Sequence, residues 1–135
     1  MAYRDSNASA NVEETIRPQV ATADVDGETV DLLGADSVLF AVTIGTITDD
    51  ATDSTVTVEE SADDSAWTDV ADADILGTEP TVAADTAYQF GYIGAERYVR
   101  ATFTVGGATN VAVSTVAVRT NLHREPDGYN VESVI

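Results

Sequence analysis

The chain has 135 residues, of which 24 are acidic and 6 are basic, and its formal net charge is -18 at pH 7. This length fits a single domain with one hydrophobic core. The charge argues against nucleic-acid binding and against binding to an anionic membrane, because no basic surface is available to neutralise phosphates.

The acidic excess predicts a protein adapted to very salty water. All 6 basic residues are arginines, and none lies between Arg17 and Arg97. That same stretch contains acidic pairs such as Asp49-Asp50, which repel one another in dilute buffer. At molar salt the Debye length falls to about 3 Å, so this repulsion is screened. A disordered acidic chain is the alternative, but regular apolar alternation argues against it.

Cysteines and long apolar segments are both absent from the sequence. Without cysteine, disulfides and thiolate chemistry are excluded. No stretch approaches the roughly 18 apolar residues of a membrane-spanning helix, and the first residues lack the apolar segment of a signal peptide. The composition therefore predicts a soluble protein made in the cytoplasm.

Residues 1–17 are polar and weakly patterned, and they predict an N-terminal arm that ends at Pro18. Within this arm, residues 12–16 can add as a short strand to a neighbouring surface. The interaction residues that we expect there are Arg4, Val12, Ile16 and Arg17. Burial of the two apolar side chains would provide the attachment, and the two arginines would set its register.

Residues 18–120 alternate in a way that predicts the body of the domain. The nearly continuous apolar run over 37–46 predicts a buried central strand. Residues 54–61 predict a half-buried strand with Val56 and Val58 on its inner side. The segments 97–105 and 111–119, joined by Gly106-Gly107, predict a β-hairpin.

These segments together predict an all-β protein, an antiparallel β-sandwich for which a jelly roll is one arrangement. No window predicts a helix longer than one turn. Residues 121–135 form a C-terminal extension with a turn at Pro126-Asp127-Gly128. Its final apolar segment, 131–135, fits either a second attachment arm or a last core strand.

Catalytic chemistry finds little support in this sequence. His123 is the only histidine, so neither a histidine metal set nor a pair of imidazoles can exist within one chain. No nucleophile motif and no Gly-rich phosphate loop accompany it. We therefore expect that the protein is not an enzyme and that it needs no cofactor.

Clustered carboxylates raise the possibility of a Ca²⁺ site, because this ion prefers oxygen ligands. Neither of two acidic groups has the spacing of a known calcium loop, and solvated acidic surface is the favoured interpretation. The two groups are Asp49, Asp50 and Asp53, and Asp63, Asp64 and Asp69.

Six aromatic residues could pack in the core or form a platform for carbohydrate. Core packing is favoured, because a domain with 7% aromatic residues needs most of them inside. The six are Trp67, Tyr88, Phe90, Tyr92, Tyr98 and Phe103.

Three segments carry a family resemblance: SADDSAWTDV over 61–70, ADILG over 73–77 and GYIGAERYVR over 91–100. They resemble the patterns E-S-x-D-x-x-x-W-x-x-V and G-Y-x-G-x-x-R-Y-V-R of a family of small β-sandwich proteins, and the similarity spans residues 24–124. That family is encoded in the structural gene modules of tailed viruses and prophages. The exit Leu122-His123-Arg124 is close to the H-x-R of the family but not identical.

The resemblance implies a structural virion protein, and the lysine-free composition places it in a tailed virus of a halophilic archaeon. A capsid decoration protein or a turret subunit is the first interpretation, located in the virion and bound to the major capsid protein or other virion proteins as a homo-oligomer. A tail or head-tail connector component is the second interpretation. A host-surface or carbohydrate-binding module is the third.

Overall fold

The protein is represented by a computed structural model, which describes residues 9–48, 53–106 and 110–122. In these ranges the chain forms ten β-strands and one short 3-10 turn, Asp72–Asp74. The strands are β1 (Asn11–Ala21), β2 (Val25–Asp26), β3 (Val30–Asp31), β4 (Ala35–Thr48), β5 (Thr55–Ser61), β6 (Thr68–Asp69), β7 (Ile75–Leu76), β8 (Ala87–Tyr92), β9 (Tyr98–Thr104) and β10 (Asn110–Leu122).

Two antiparallel sheets contain these strands and pack together as a sandwich. Sheet A has the order β1-β10-β4-β8-β7, and sheet B has the order β2-β9-β5-β6, with β3 also pairing with β9. The predicted all-β sandwich is therefore confirmed. The apolar run over 37–46 lies in β4, which is flanked by β10 and β8 and is central, as its composition predicts.

The core consists mainly of valines, with a few aromatic rings between the sheets. Val56 and Val58 of β5 are fully buried, as their alternation predicts. Phe40 of β4 stacks on Phe90 of β8, with ring centroids 5.5 Å apart. Branched and aromatic side chains suit this position because they pack densely against a pleated surface.

The predicted hairpin between 97–105 and 111–119 is wrong. β9 pairs with β5 in sheet B, whereas β10 pairs with β4 and β1 in sheet A. Alternation shows which side of a strand faces the core, but it does not show which strand lies beside it. The connection instead approaches the start of β5, where the Gly106 amide donates to Oγ of Ser54 at 3.0 Å.

The prediction that residues 11–17 belong to a free arm is also wrong. Strand β1 runs antiparallel along β10, from Asn11 opposite Arg119 to Ala21 opposite Val111. The boundary predicted after residue 17 falls inside this strand, and β10 continues to Leu122, past the boundary predicted after residue 120. Residues 1–8 and 123–135 lie outside the described residues, as do the turn at 126–128 and the segment 131–135.

Irregular pairing explains why the sequence does not predict β1 as a core strand. The register between β1 and β10 shifts twice, between Glu14 and Ile16 and again between Ile16 and Gln19. Thr15 and Ile16 are consequently both buried, at 1% exposure each, although they are adjacent in sequence. A strand with such bulges loses its simple period of two.

Thr15 connects the edge of sheet A to sheet B. Its hydroxyl donates to the carbonyl of Glu28 at 2.9 Å and accepts from the amide of Ala101 at 3.1 Å. Ala101 lies on β9 between the short partners β2 and β3, so the hydroxyl provides a partner where the strand ladder is interrupted. Gly27 passes close by, and a Cβ there would collide with Ala101 and Thr15.

Candidate functional site

Three of the four residues predicted as an interaction arm, Val12, Ile16 and Arg17, lie in strand β1. Ile16 is buried in the core of its own chain, so it is not available to a partner. Val12 is 64% exposed on β1. Arg17 lies 4.0 Å from Glu28 of the same chain, and Arg4 is outside the described residues.

Residues of the family-like segments meet around the buried Tyr92 side chain. Its hydroxyl donates to Oε1 of Glu60 at 2.8 Å and accepts from the amide of Glu96 at 3.1 Å. Burial raises the pKa of this phenol above its ordinary value. Gly94 packs against the ring, where a Cβ would collide with it. This part of the motif therefore fixes the turn between β8 and β9.

Arg100 occupies the centre of the outer face of sheet B. Its guanidinium lies 2.8 Å from Glu59 and 3.7 Å from Asp26, and it stacks over the ring of Trp67 at 4.4 Å. A planar guanidinium that pairs with carboxylates and an aromatic ring at once has few donors left for a ligand. Trp67 and Arg100, which match the Trp and Arg of the pattern, thus have a structural role in this chain.

Arg97, the second arginine of the same segment, makes a bidentate ion pair with Asp31. Nε and Nη2 of Arg97 donate to the carboxylate of Asp31 at 2.9 and 2.8 Å. Arg97 holds the pKa of Asp31 below its usual range through these hydrogen bonds. Arg97 also lies over the ring of Tyr98, 4.9 Å from its centroid. These contacts join β3 to the start of β9.

The aromatic residues divide between the core and these stacks. Phe90, Tyr92 and Phe103 are buried, which confirms core packing for half of the predicted set. An arginine stacks on one ring face of Trp67 and another on one ring face of Tyr98. The Tyr88 hydroxyl accepts a hydrogen bond from the amide of Ala83 at 2.9 Å. An open aromatic platform is therefore not formed by the six.

Asp63 is a turn residue in this structure. Its Oδ1 accepts from the amides of Ala66 and Ser65 and from the hydroxyl of Ser61, each at 3.0 Å. The backbone hydrogen bond from Ala66 is the main reason that the pKa of Asp63 is lowered. Asp64 has a positive φ of 60° and accepts from the Thr29 hydroxyl.

The carboxylates considered for Ca²⁺ are not assembled into a ligand set in the part of the chain that is described. Within those ranges no three histidine, aspartate or glutamate side chains are grouped so that they could hold a metal ion. Asp53 is exposed, and Asp69 pairs with Glu59 across β6 and β5. Asp49 and Asp50 lie outside the described residues.

The free edge of β5 is covered by residues 79–82. The amide of Val56 donates to the carbonyl of Pro80 at 3.1 Å, and the amide of Val58 donates to Oε2 of Glu79 at 2.6 Å. Burial raises the pKa of Glu79, and the nearby Asp69 acts in the same direction. Because its amides already have acceptors, this edge cannot accept an added strand there.

The two outer faces of the sandwich differ sharply in charge. The outer face of sheet B presents Asp26, Asp31, Glu59, Asp69 and Arg100. On the outer face of sheet A, Glu14 is the single carboxylate among the outward positions of the described strands. Those positions include Val12, Glu14, Val20, Ser37, Leu39, Ala41, Thr43, Gly45, Thr48, Leu76, Ala87, Gln89, Gly91, Asn110, Ala112, Ser114, Val116, Val118 and Thr120.

Apolar side chains remain exposed across this outer face of sheet A. Val20 on one edge strand is 61% exposed, and Leu76 on the opposite edge strand is 56% exposed. A shallow groove of about 320 Å³ lies beside Val20, and small residues, Gly45 and Ala112, form part of its lining. Pro18, Gln19, Thr43, Val113 and Ser114 complete the lining.

The sequence analysis missed this surface, although its signal is present. No charged residue occurs over 37–48 or 110–118, while the rest of the chain is densely acidic. The run over 37–46 predicts a buried central strand and the run over 111–119 predicts one strand of a hairpin, and neither interpretation includes an exposed uncharged surface. Their outward positions are equally free of charge, which core packing does not require.

Comparisons with known proteins give likenesses in fold. The sequence matches no protein-family model and no curated protein. The crystal structure of the SPBc2 prophage-derived protein YomS matches with a TM-score of 0.51 and 12% identity, over 82% of this chain and 93% of that one. A structure from Bacillus endospore appendages, described as disulfide-linked pili, matches with a TM-score of 0.49 and 13% identity, over 90% of this chain and 96% of that one.

The YomS likeness shows a shared β-sandwich fold. In the described ranges, the chain has no helix of the length and hydrophobicity required to cross a bilayer.

Proposed function

We propose that this protein is a structural component of a tailed-virus or prophage particle, a decoration or turret subunit on the capsid surface, and that it is not an enzyme. The proposal extends to a virus of a very salty environment. Its partners would be the major capsid protein or other virion proteins, together with further copies of this chain.

The observation that carries the proposal is the contrast between the two outer faces. A chain with a net charge of -18 repels acidic neighbours over most of its surface. The outer face of sheet A has the one carboxylate Glu14 and the exposed Val12, Val20 and Leu76, and it is the place where a neighbour meets the least repulsion. Apolar patches of this kind mark interaction surfaces in soluble proteins.

The fold supports the same proposal. YomS is by its description derived from a prophage, and it shares the sandwich over most of both chains. The segments that resemble the tailed-virus family form the Tyr92 and Arg100 clusters, which stabilise the sandwich. A rigid body that displays one face with little charge suits a particle subunit better than a catalyst.

The non-enzymatic role is supported by how the titratable groups are used. Arg97 is paired with Asp31, Arg100 with Glu59, and the Tyr92 hydroxyl with Glu60. Arginine stays protonated in proteins and does not act as a general base, and burial raises the pKa of the Tyr92 phenol above its ordinary value.

Re-binding to particles tests the proposal. Particles prepared without this protein would be mixed with purified wild-type protein in molar NaCl and separated by density-gradient centrifugation. We expect the protein to sediment with the particles in a saturable manner. Failure to bind at any salt concentration would contradict a capsid-surface role, and binding to isolated tails alone would support the tail or connector interpretation instead.

A further inference from the structure

We propose that the outer face of sheet A is a self-association surface, on which a second copy of this chain packs face to face. The proposed function includes contacts between copies, and this inference specifies the surface that makes them; purified protein alone can test it. The contact would be isologous, with the same surface patch contributed by both copies.

Charge selects this surface over the rest of the molecule. Two copies that each carry a charge of -18 repel one another, and a shared interface must keep their carboxylates apart. The outer face of sheet B would bring Asp26, Glu59 and Asp69 of both copies together. On the outer face of sheet A, Glu14 is the only carboxylate among the outward positions of the described strands.

The area is also sufficient for a dimer. Strands β1, β10 and β4 have 11, 13 and 14 residues, and β8 adds 6. At about 3.3 Å per residue along a strand and about 4.8 Å between strands, the sheet presents on the order of 700 Å². Stable interfaces bury about 600 to 1,000 Å² on each partner, so this area lies within the range. Face-to-face packing of two sheets is an established arrangement.

The surface shape provides a self-complementary contact. Val20 stands beside the groove, and Gly45 and Ala112 leave room there because they have little or no side chain. A two-fold axis across the face allows Val20 of each copy to enter the groove of the other. Both contacts bury an exposed aliphatic side chain in a site lined by uncharged residues.

Salt should strengthen this contact. The remaining repulsion between the acidic bodies is screened as the Debye length falls from about 30 Å at 0.01 M to about 3 Å at 1 M. The apolar contact does not depend on ion pairs, so salt does not screen any electrostatic attraction that stabilises the dimer. Salt would also screen the repulsion between two acidic outer faces of sheet B, so the variants, and not the salt dependence, distinguish the two surfaces.

A matched pair of variants tests the surface. Thr43→Asp places a carboxylate on the outer face of sheet A, and Thr104→Asp makes the same change at an exposed strand position of sheet B. Sedimentation velocity over a concentration series in molar NaCl measures dimerisation. We expect wild type and Thr104→Asp to dimerise alike, and Thr43→Asp to weaken dimerisation at least about tenfold. Circular dichroism verifies that both variants are folded.

Val20→Asp gives an independent variant in the same groove, and it should weaken dimerisation in the same way. A wild-type protein that stays monomeric over the series would overturn the inference, as would equal losses for Thr43→Asp and Thr104→Asp. If Thr43→Asp abolishes binding to particles while the wild type is monomeric, the face is occupied by a particle protein and the second copy is rejected. Dimerisation without particle binding would support this surface and contradict the particle role.

Discussion

Replacement of Thr15 by valine tests how the two sheets are held together at the β1 edge. Valine has nearly the same volume, so the change removes the hydroxyl and leaves the packing almost unaltered. The buried amide of Ala101 then loses its acceptor, and the carbonyl of Glu28 loses its donor. This hydroxyl joins residues that are 13 and 86 positions away in the sequence.

The expected loss of stability follows from these two hydrogen bonds. An unpaired buried amide costs about 1 to 3 kcal/mol, and loss of a hydrogen bond at a site that water can reach costs about 0.5 to 1.5 kcal/mol. We therefore expect the free energy of unfolding to fall by about 2 to 4 kcal/mol. For a domain of this size that corresponds to a decrease in Tm of roughly 10 °C.

Thr115 supplies a matched control on the facing strand. It is fully buried opposite Ile16, and its hydroxyl finds no hydrogen-bond partner among the described residues. Thr115→Val should leave stability unchanged or raise it by up to about 1 kcal/mol, because it removes an unpaired buried hydroxyl. Urea denaturation in molar NaCl, followed by Trp67 fluorescence, measures both variants. Equal effects of the two substitutions would refute the role given to Thr15.

Three further measurements test other parts of the account. The Tm of the wild type should rise by about 10 °C or more between dilute buffer and molar NaCl as repulsion is screened, and a salt-independent Tm would contradict adaptation to brine. Glu79→Gln should stabilise the fold at neutral pH, because glutamine keeps an acceptor for the Val58 amide and removes a buried charge near Asp69. Since the raised pKa of Glu79 makes wild-type stability fall as pH rises above the ordinary value of 4.5, the advantage should disappear below that pH, as thermal melts at several pH values would show. Gly27→Ala should destabilise the protein by about 2 kcal/mol or more in urea denaturation, because its Cβ would collide with the Ala101 carbonyl and the backbone must move.

The sequence predicts strands well where alternation is regular. Strands β4, β5 and β9 overlap the predicted segments 37–46, 54–61 and 97–105, and the inner valines of β5 are buried as expected. The local alternation of apolar and polar residues is sufficient to identify these strands, because each strand has one side in the core. The pairing of those strands depends on contacts between distant residues, so the predicted hairpin from β9 to β10 failed.

The candidate surface was harder to predict than the fold. Bulges in β1 place the adjacent residues Thr15 and Ile16 both in the core, which breaks the alternation expected of a strand. The segment is therefore predicted as a polar arm. The outer face of sheet A is assembled from positions on five strands, and only the sheet order shows that they are adjacent. The absence of charged residues over 37–48 in β4 and 110–118 in β10 indicates this surface in the sequence. The predicted buried strand over 37–46 and the predicted hairpin strand over 111–119 leave the uncharged outward half of these positions unexplained.

Copy number in purified particles tests the central claim most directly. Quantitative mass spectrometry of gradient-purified virions would compare peptides of this protein with those of the major capsid protein. A decoration or turret subunit predicts an amount that is a fixed fraction of the capsid protein and remains bound through repeated purification in molar NaCl. Absence of the protein from such particles would contradict a structural role in the virion.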